Sequence, residues 1–266
     1  MIYLSHLIPD QEMSELFLTY PVGLETIEFS IASCLNHFTD TLHEYSRRIE
    51  QMNPATVSVH GPFLDLNPAS YDSIIRAATR ERFEQAYAAA RALNATKIIY
   101  HSCFIPQINY YEGWIEQAVP FWKKFLDDKP TDITICMENV FDVFPSYIKE
   151  VIQQVNHPTF GVCFDLGHAH AFSDVPVTQW IDELGPLIRH IHIHDNDGTK
   201  DSHLAIGNGT IPWDCVTDAL QKKYPTADFT IENNSREDFI QSLEFLIKNI
   251  FTETDDRQPD VPTPVR

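Results

Sequence analysis

Eight strand-like runs alternating with eight helical runs predict an α/β fold, a single (β/α)8 TIM barrel with its site at the C-terminal ends of the strands. Two further observations agree. Within the strand-like runs, large apolar residues alternate with small or polar ones. A chain of 266 residues is also normal for one such barrel. Strands are expected near residues 2–6, 24–29, 56–60, 96–101, 133–138, 160–165, 188–194 and 228–232. Helices are expected near 11–19, 40–51, 70–93, 111–127, 145–156, 176–184, 212–223 and 236–250. Pro145, Pro176 and Pro212 mark three helix starts, because the first turn tolerates a missing amide.

Strand parity orients the barrel. In the third strand Val57 and Val59 alternate with Thr56, Ser58 and His60. In the fifth, Ile133, Ile135 and Met137 alternate with Thr134, Cys136 and Glu138. In the sixth, Phe160, Val162 and Phe164 alternate with Gly161, Cys163 and Asp165; in the eighth, Phe229 and Ile231 alternate with Asp228, Thr230 and Glu232. The apolar set is expected to face the helices and the other set the barrel axis. Residues 1–252 are expected to form the barrel, and 253–266, rich in Asp, Thr and Pro, a disordered tail.

Composition bounds the partners. A hydrophobic fraction of 43% can bury a sizeable core, and a formal net charge of −19 argues against nucleic-acid phosphates. Five cysteines without a CxxC pair fit a reduced, cytoplasmic setting with no disulfide framework. No signal peptide or membrane span is evident. The expected partner is a small-molecule substrate. The oligomeric state is not legible.

The stretch 188–213 concentrates the chemistry. His190, His192 and His194 share one strand face, and the chain then turns at Asp195-Asn196-Asp197-Gly198. It next presents Asp201-Ser202-His203 before Gly207 and Gly209. Parity turns His60, His101, Glu138, Asp165, His192 and Glu232 inward at strand ends, where barrel enzymes place their chemistry. Singly, each has an ordinary explanation. His60 before Gly61-Pro62 can cap a turn, Glu138-Asn139 can bond loop amides, and Asp165 and His168 in FDLGHAH can be a helix cap and a surface histidine. Together, the carboxylates Glu138, Asp165, Asp201 and Glu232 would repel unless cations joined them. With His60, His101, His168, His192 and His203 they form a ligand set for more than one divalent ion, zinc, manganese or iron.

His6, His37, His43, His157, His170, His190 and His194 are read as structural or surface histidines, although His194 shares the inward parity of His192. The aromatic run 105–114 can wall a pocket or simply pack as a loop, and Tyr110 and Trp114 are its candidate substrate contacts. Asn139 and Asn233 are further candidates.

The motifs ENV at Glu138, FDLGHAHAF at 165–172, HIHDND at 192–197, DSHLAIGNG at 201–209 and IEN at 231–233 resemble the xylose-isomerase-like barrels. That superfamily includes sugar phosphate isomerases/epimerases and the endonuclease IV group, and the resemblance spans the barrel to about residue 250. The epimerase likeness implies one metal on Glu138, Asp165, His192 and Glu232. The endonuclease IV likeness implies further ions, with His60 and His101 joining a bridging Glu138, and His168, Asp201 and His203 holding a third. The chain departs from the epimerases by having Asp201-Ser202-His203 where they commonly carry a substrate-holding arginine. It departs from the DNA-cleaving members by its acidity and by being somewhat short.

The leading expectation is therefore a hydrolase with a di- or trinuclear metal site, acting on a phosphoester-type bond of a small sugar-phosphate- or nucleotide-like molecule. The alternative is a single-metal sugar or sugar-phosphate isomerase/epimerase with Glu138 and Glu232 as the acid/base pair. A DNA-repair endonuclease ranks third. A barrel in which the metal is purely structural ranks low, because the ligands sit on the catalytic face.

Overall fold

The alternation closes into a barrel of eight parallel strands paired in chain order: β1 (Ile2–Ser5), β2 (Gly23–Thr26), β3 (Val57–His60), β4 (Lys97–His101), β5 (Thr134–Glu138), β6 (Phe160–Asp165), β7 (Ile188–Ile193) and β8 (Asp228–Ile231), which returns to β1. A computed structural model describes residues 1–223 and 227–251. The expected tail, 253–266, lies outside the described residues. The helices are α1 (Asp10–Thr19), α2 (Ala32–Asn36), α3 (Phe38–Met52), α4 (Ser73–Ala92), α5 (Tyr111–Leu126), α6 (Pro145–Val155), α7 (Leu166–Phe172), α8 (Val177–Leu184), α9 (Trp213–Lys223) and α10 (Arg236–Asn249). Among the described residues no helix is long and apolar enough to cross a membrane.

The two strand faces do what their residue types dictate. Val59, Ile98, Tyr100, Ile135, Met137, Val162, Phe164, Ile191, Phe229 and Ile231 are buried in one core with Phe83, Trp122, Ile148, Trp180 and Leu243 of the surrounding helices. Each such side chain contributes about 1.5–3 kcal/mol when fully buried. Inside the barrel, Ile99, Cys136 and Cys163 form a separate small cluster. Near the N-terminal end of β4, the buried Lys97 pairs with Asp228 and lies 5.2 Å from the Tyr3 ring centroid. This plug leaves the C-terminal half of the barrel interior to the residues of the site.

Three local differences from the expected elements shape the site. β2 ends at Thr26, because the chain turns into a 3-10 helix at Glu28–Ser30 and then α2. Pro145 begins α6 as expected, whereas Pro176 and Pro212 stand immediately before the first helical residues of α8 and α9. The short helix α7 has no counterpart among the expected elements. Asp165 caps it, its Oδ1 accepting the His168 amide at 2.6 Å, and this satisfies an otherwise orphaned donor. The turn of helix returns His168 to the barrel mouth, where it is buried rather than on the surface.

Candidate metal centre

All nine residues expected to form the ligand set meet at the C-terminal mouth. Strand register aligns them, with His101 opposite Glu138 and Asp165 opposite His192. Glu138 divides its two oxygens. Oε2 lies 3.4 Å from His60 Nε2 and 3.6 Å from His101 Nε2, while Oε1 lies 3.4 Å from His192 Nδ1 and 3.3 Å from His168 Nδ1. Glu232 Oε1 stands 3.3 Å from His192 Nδ1, and Asp165 Oδ2 stands 3.9 Å from it. Beyond them Asp201 Oδ2 faces His168 Nε2 at 3.3 Å and His203 Nε2 at 3.0 Å.

The imidazoles are held in fixed tautomers. His60 Nδ1 lies 2.9 Å from the Gly61 carbonyl, His168 Nδ1 3.0 Å from that of Asn139, and His203 Nδ1 3.0 Å from that of Glu232. A carbonyl oxygen only accepts, so each Nδ1 carries a proton, and Nε2 is the nitrogen that would present a lone pair to a bound metal. Second-ring-nitrogen contacts of this kind orient metal-binding histidines. His203 also adopts φ 49°, a left-handed conformation uncommon outside glycine, on a loop pinned by the Asp195–Leu204 bridge. Asp195 clamps that loop, accepting from Gly207 N at 2.9 Å and from Trp213 Nε1 at 2.6 Å.

His192 has a different support. Its Nε2 lies 2.9 Å from Oε1 of Glu25, a carboxylate on β2 that is fully buried beneath the cluster. Glu25 Oε2 accepts from Ser58 and Thr230 at 2.9 Å each. Sequence reasoning missed Glu25; the signal available was its inward parity in GLET. His190 and His194, read as structural or surface, are also fully buried inside the barrel. His190 Nε2 is 2.7 Å from Thr230 Oγ1, consistent with a structural role, whereas His194 joins the cluster.

The electrostatics fit a cation site. Burial disfavours ionised Glu138, yet the charge of His192 and hydrogen bonds from His168 and His192 hold its carboxyl well below the usual range. Burial works against charged His203, but Asp201 and Glu232 outweigh it and raise the imidazole to about 9. His168 and His192 rise in the same way against the same burial, through Asp165 for the first and Cys163 and Glu232 for the second. His101 is the exception, lowered by burial to about 3 and so neutral. The carboxylates thus demand positive charge, which protons supply when metal does not. Glu138 Oε2, Asp165 Oδ2, His192 Nδ1 and Asp201 Oδ1 are buried without a hydrogen-bond partner. Orphaned donors and acceptors in this mixture suit divalent ions bound by imidazole and carboxylate.

A cavity of about 460 Å³ opens over His60, His101, Glu138, His168, Asp201, His203 and Glu232. Its other wall is apolar, with Leu7, Ile27, Phe63, Leu64, Val140 and Phe141, and none of its lining residues among those described is Lys or Arg. The four expected substrate contacts lie elsewhere. Trp114 is buried on the inner face of α5, 5.5 Å from the Phe104 ring, because α5 starts at Tyr111 and its spacing carries Trp114 into the core. Tyr110 is 80% exposed and does not line the cavity. Asn139 uses its amide on the Asp165 backbone, donating to O and accepting from N at 2.9 Å each. Asn233 donates to the His203 and Leu204 carbonyls and accepts from Ser242. Both asparagines hold ligand-bearing backbone rather than facing the cavity.

Comparison with known proteins is consistent with this architecture. Residues 21–249 match the family described as xylose isomerase-like TIM barrel. A probable endonuclease 4 of Mycobacterium leprae is 25% identical over 181 residues, covering 62% of this chain and 68% of its own. Among solved structures, a D-tagatose 3-epimerase-like protein superposes with a TM-score of 0.77 at 23% identity, covering 94% of this chain and 97% of its own. The TTHB071 protein from Thermus thermophilus, soaked with ZnCl2, superposes with a TM-score of 0.75 at 24% identity, covering 97% of this chain and 99% of its own. At these identities the structural likenesses establish the fold.

Proposed function

The chain belongs to the xylose isomerase-like TIM-barrel family, and from that premise we propose that it is a divalent-metal-dependent hydrolase with a di- or trinuclear site, cleaving a phosphoester-type bond in a small molecule. One observation carries the reading. Asp201 Oδ2 faces both His168 Nε2 at 3.3 Å and His203 Nε2 at 3.0 Å, which supports ligands beyond the Glu138, Asp165, His192 and Glu232 group that a single-metal isomerase needs. Glu138 turns one oxygen toward His60 and His101 and the other toward His192, an arrangement that supports the reading of more than one ion. Clustered divalent ions supply Lewis-acid stabilisation to a transferring phosphoryl group.

The chain's own residues do the rest. His60, His101, His168, His192 and His203 present lone pairs, and the four carboxylates balance the ionic charge. With no Lys or Arg among the described lining residues, bound ions would supply the positive charge that a phosphoryl group needs. The apolar wall of Phe63, Leu64 and Phe141 excludes water and suits a neutral, ring-like remainder of the substrate. Duplex DNA is set aside by the net charge of −19.

A second reading, a single-metal sugar or sugar-phosphate isomerase/epimerase, is favoured by Glu138 and Glu232 flanking His192 Nδ1 at 3.4 and 3.3 Å. The likeness to the D-tagatose 3-epimerase-like protein supports it too. The two separate in one assay. Zinc- and manganese-loaded protein is offered bis(p-nitrophenyl) phosphate and, separately, ketoses and ketose phosphates. Metal-dependent release of nitrophenol supports the hydrolase; its absence together with C3- or C2-epimerised sugar replaces it by the isomerase.

A further inference from the structure

His194 is fully buried at the mouth, and both of its ring nitrogens lack a hydrogen-bond partner. The strand ends at Ile193, but the chain keeps its parity for one more residue and turns His194 inward above His192. Its Nε2 stands 3.4 Å from Asp165 Oδ1 and 3.4 Å from Asp201 Oδ1. Those oxygens belong to two different ligand groups of the proposed cluster.

The ring is locked there by two neighbours. It stacks on His203 with centroids 4.2 Å apart and planes 5° from parallel. On its other flank lies Gly167 of α7, where an added Cβ would come within 1.9 Å of His194 Cε1. A glycine at this helical position therefore serves close approach of an imidazole, not backbone freedom. Parallel stacking also decides the role of His194. Two imidazoles stacked face to face would be poorly oriented to ligate one and the same ion, so His194 would support ligands beside His203 rather than share its ion.

We propose that His194 is a positioning residue that joins the ligand group containing Asp165 to the one containing Asp201. Asp201 turns Oδ2 toward His168 and His203, which leaves Oδ1 buried and in need of a donor. Nε2–H of His194 is placed to supply it, and to hold Asp165 alongside. Ligating carboxylates held by an outer donor bind metal roughly 10- to 100-fold more tightly than those without one.

This inference rests on the multinuclear reading, and the experiment separates the two. Full-length parent, His194→Ala, His194→Gln and Gly167→Ala are purified without chelator, counted for zinc by plasma mass spectrometry, and timed for zinc release to a chromophoric chelator. In His194→Ala and Gly167→Ala the most labile zinc should bind roughly 10- to 100-fold more weakly, with the remaining zinc unchanged. His194→Gln, whose amide can donate to Asp201, should recover most of that loss. If Gly167→Ala misfolds, the double variant with His194→Ala removes the clash, and should fold and release zinc as His194→Ala does. A parent with several ions, matched by His194→Ala in count and release rate, overturns the inference alone. A parent with at most one ion overturns the multinuclear reading and this inference together.

Discussion

Glu25→Gln isolates the support beneath the proposed metal centre. The carboxylate accepts from Ser58 and Thr230 on one oxygen and faces His192 Nε2 at 2.9 Å with the other. A glutamine has one accepting oxygen. If that oxygen keeps Ser58 and Thr230, the amide N–H confronts the protonated Nε2 of His192, donor against donor. The imidazole then moves its proton to Nδ1, the nitrogen that faces Glu138 and Glu232, and ceases to be a ligand. Losing this close contact between carboxylate and imidazole should remove about 1.5–3 kcal/mol, or about 10- to 150-fold in metal affinity. Calorimetric titration of zinc into chelator-stripped protein measures this directly, with circular dichroism confirming the barrel. Unchanged affinity in a folded Glu25→Gln protein would refute the orienting role.

Three other outcomes follow from the same structure. Asp142 is fully buried, accepts from Ser102 at 2.6 Å, and is pushed by burial from 3.8 up to about 6. Its folded value exceeds its unfolded one, so its stabilising contribution is complete below pH 3.8 and lost as pH rises through about 6. Asp142→Asn should therefore gain stability relative to the parent between those values, by at most about 3 kcal/mol; a denaturant series showing the gain toward acid instead would contradict this. Asn139→Ala removes two 2.9 Å bonds to the Asp165 backbone and should destabilise by about 2–5 kcal/mol in chemical unfolding, a loss under about 1 kcal/mol being too small for this account. Duplex DNA should show no useful affinity at physiological salt in anisotropy measurements, and specific incision of an abasic duplex would move the protein to the repair group.

The barrel and the convergence of the candidate residues at its mouth were legible because strand parity is local. His60, Glu138, Asp165 and Glu232 each end an alternating run, and the helices cover the apolar partners whatever their detailed packing. The missed features depend on depth and on tertiary contacts. Glu25 sits mid-strand, with no turn or motif to mark a carboxylate that ends up beneath His192. The capped helix α7 hides inside FDLGHAHAF, because seven residues are too few for a periodic signal. That brevity makes His168 read, taken alone, as a surface residue. The aromatic loop draws Trp114 toward the cavity, yet the helical spacing from Tyr111 decides where it points. His194 is the harder case: parity turns it inward, and only the glycine at 167 and the ring of His203 reveal what holds it.

The most direct test of the central claim is a metal count on protein purified without chelator, parent beside His203→Ala. His203 lies on the loop above the core, so the barrel should stay folded. The account predicts more than one tightly bound divalent ion per parent chain, and one fewer in the variant, with most hydrolytic activity gone. At most one ion in the parent, or an unchanged count with full turnover in His203→Ala, would contradict it and leave the single-metal isomerase as the better explanation.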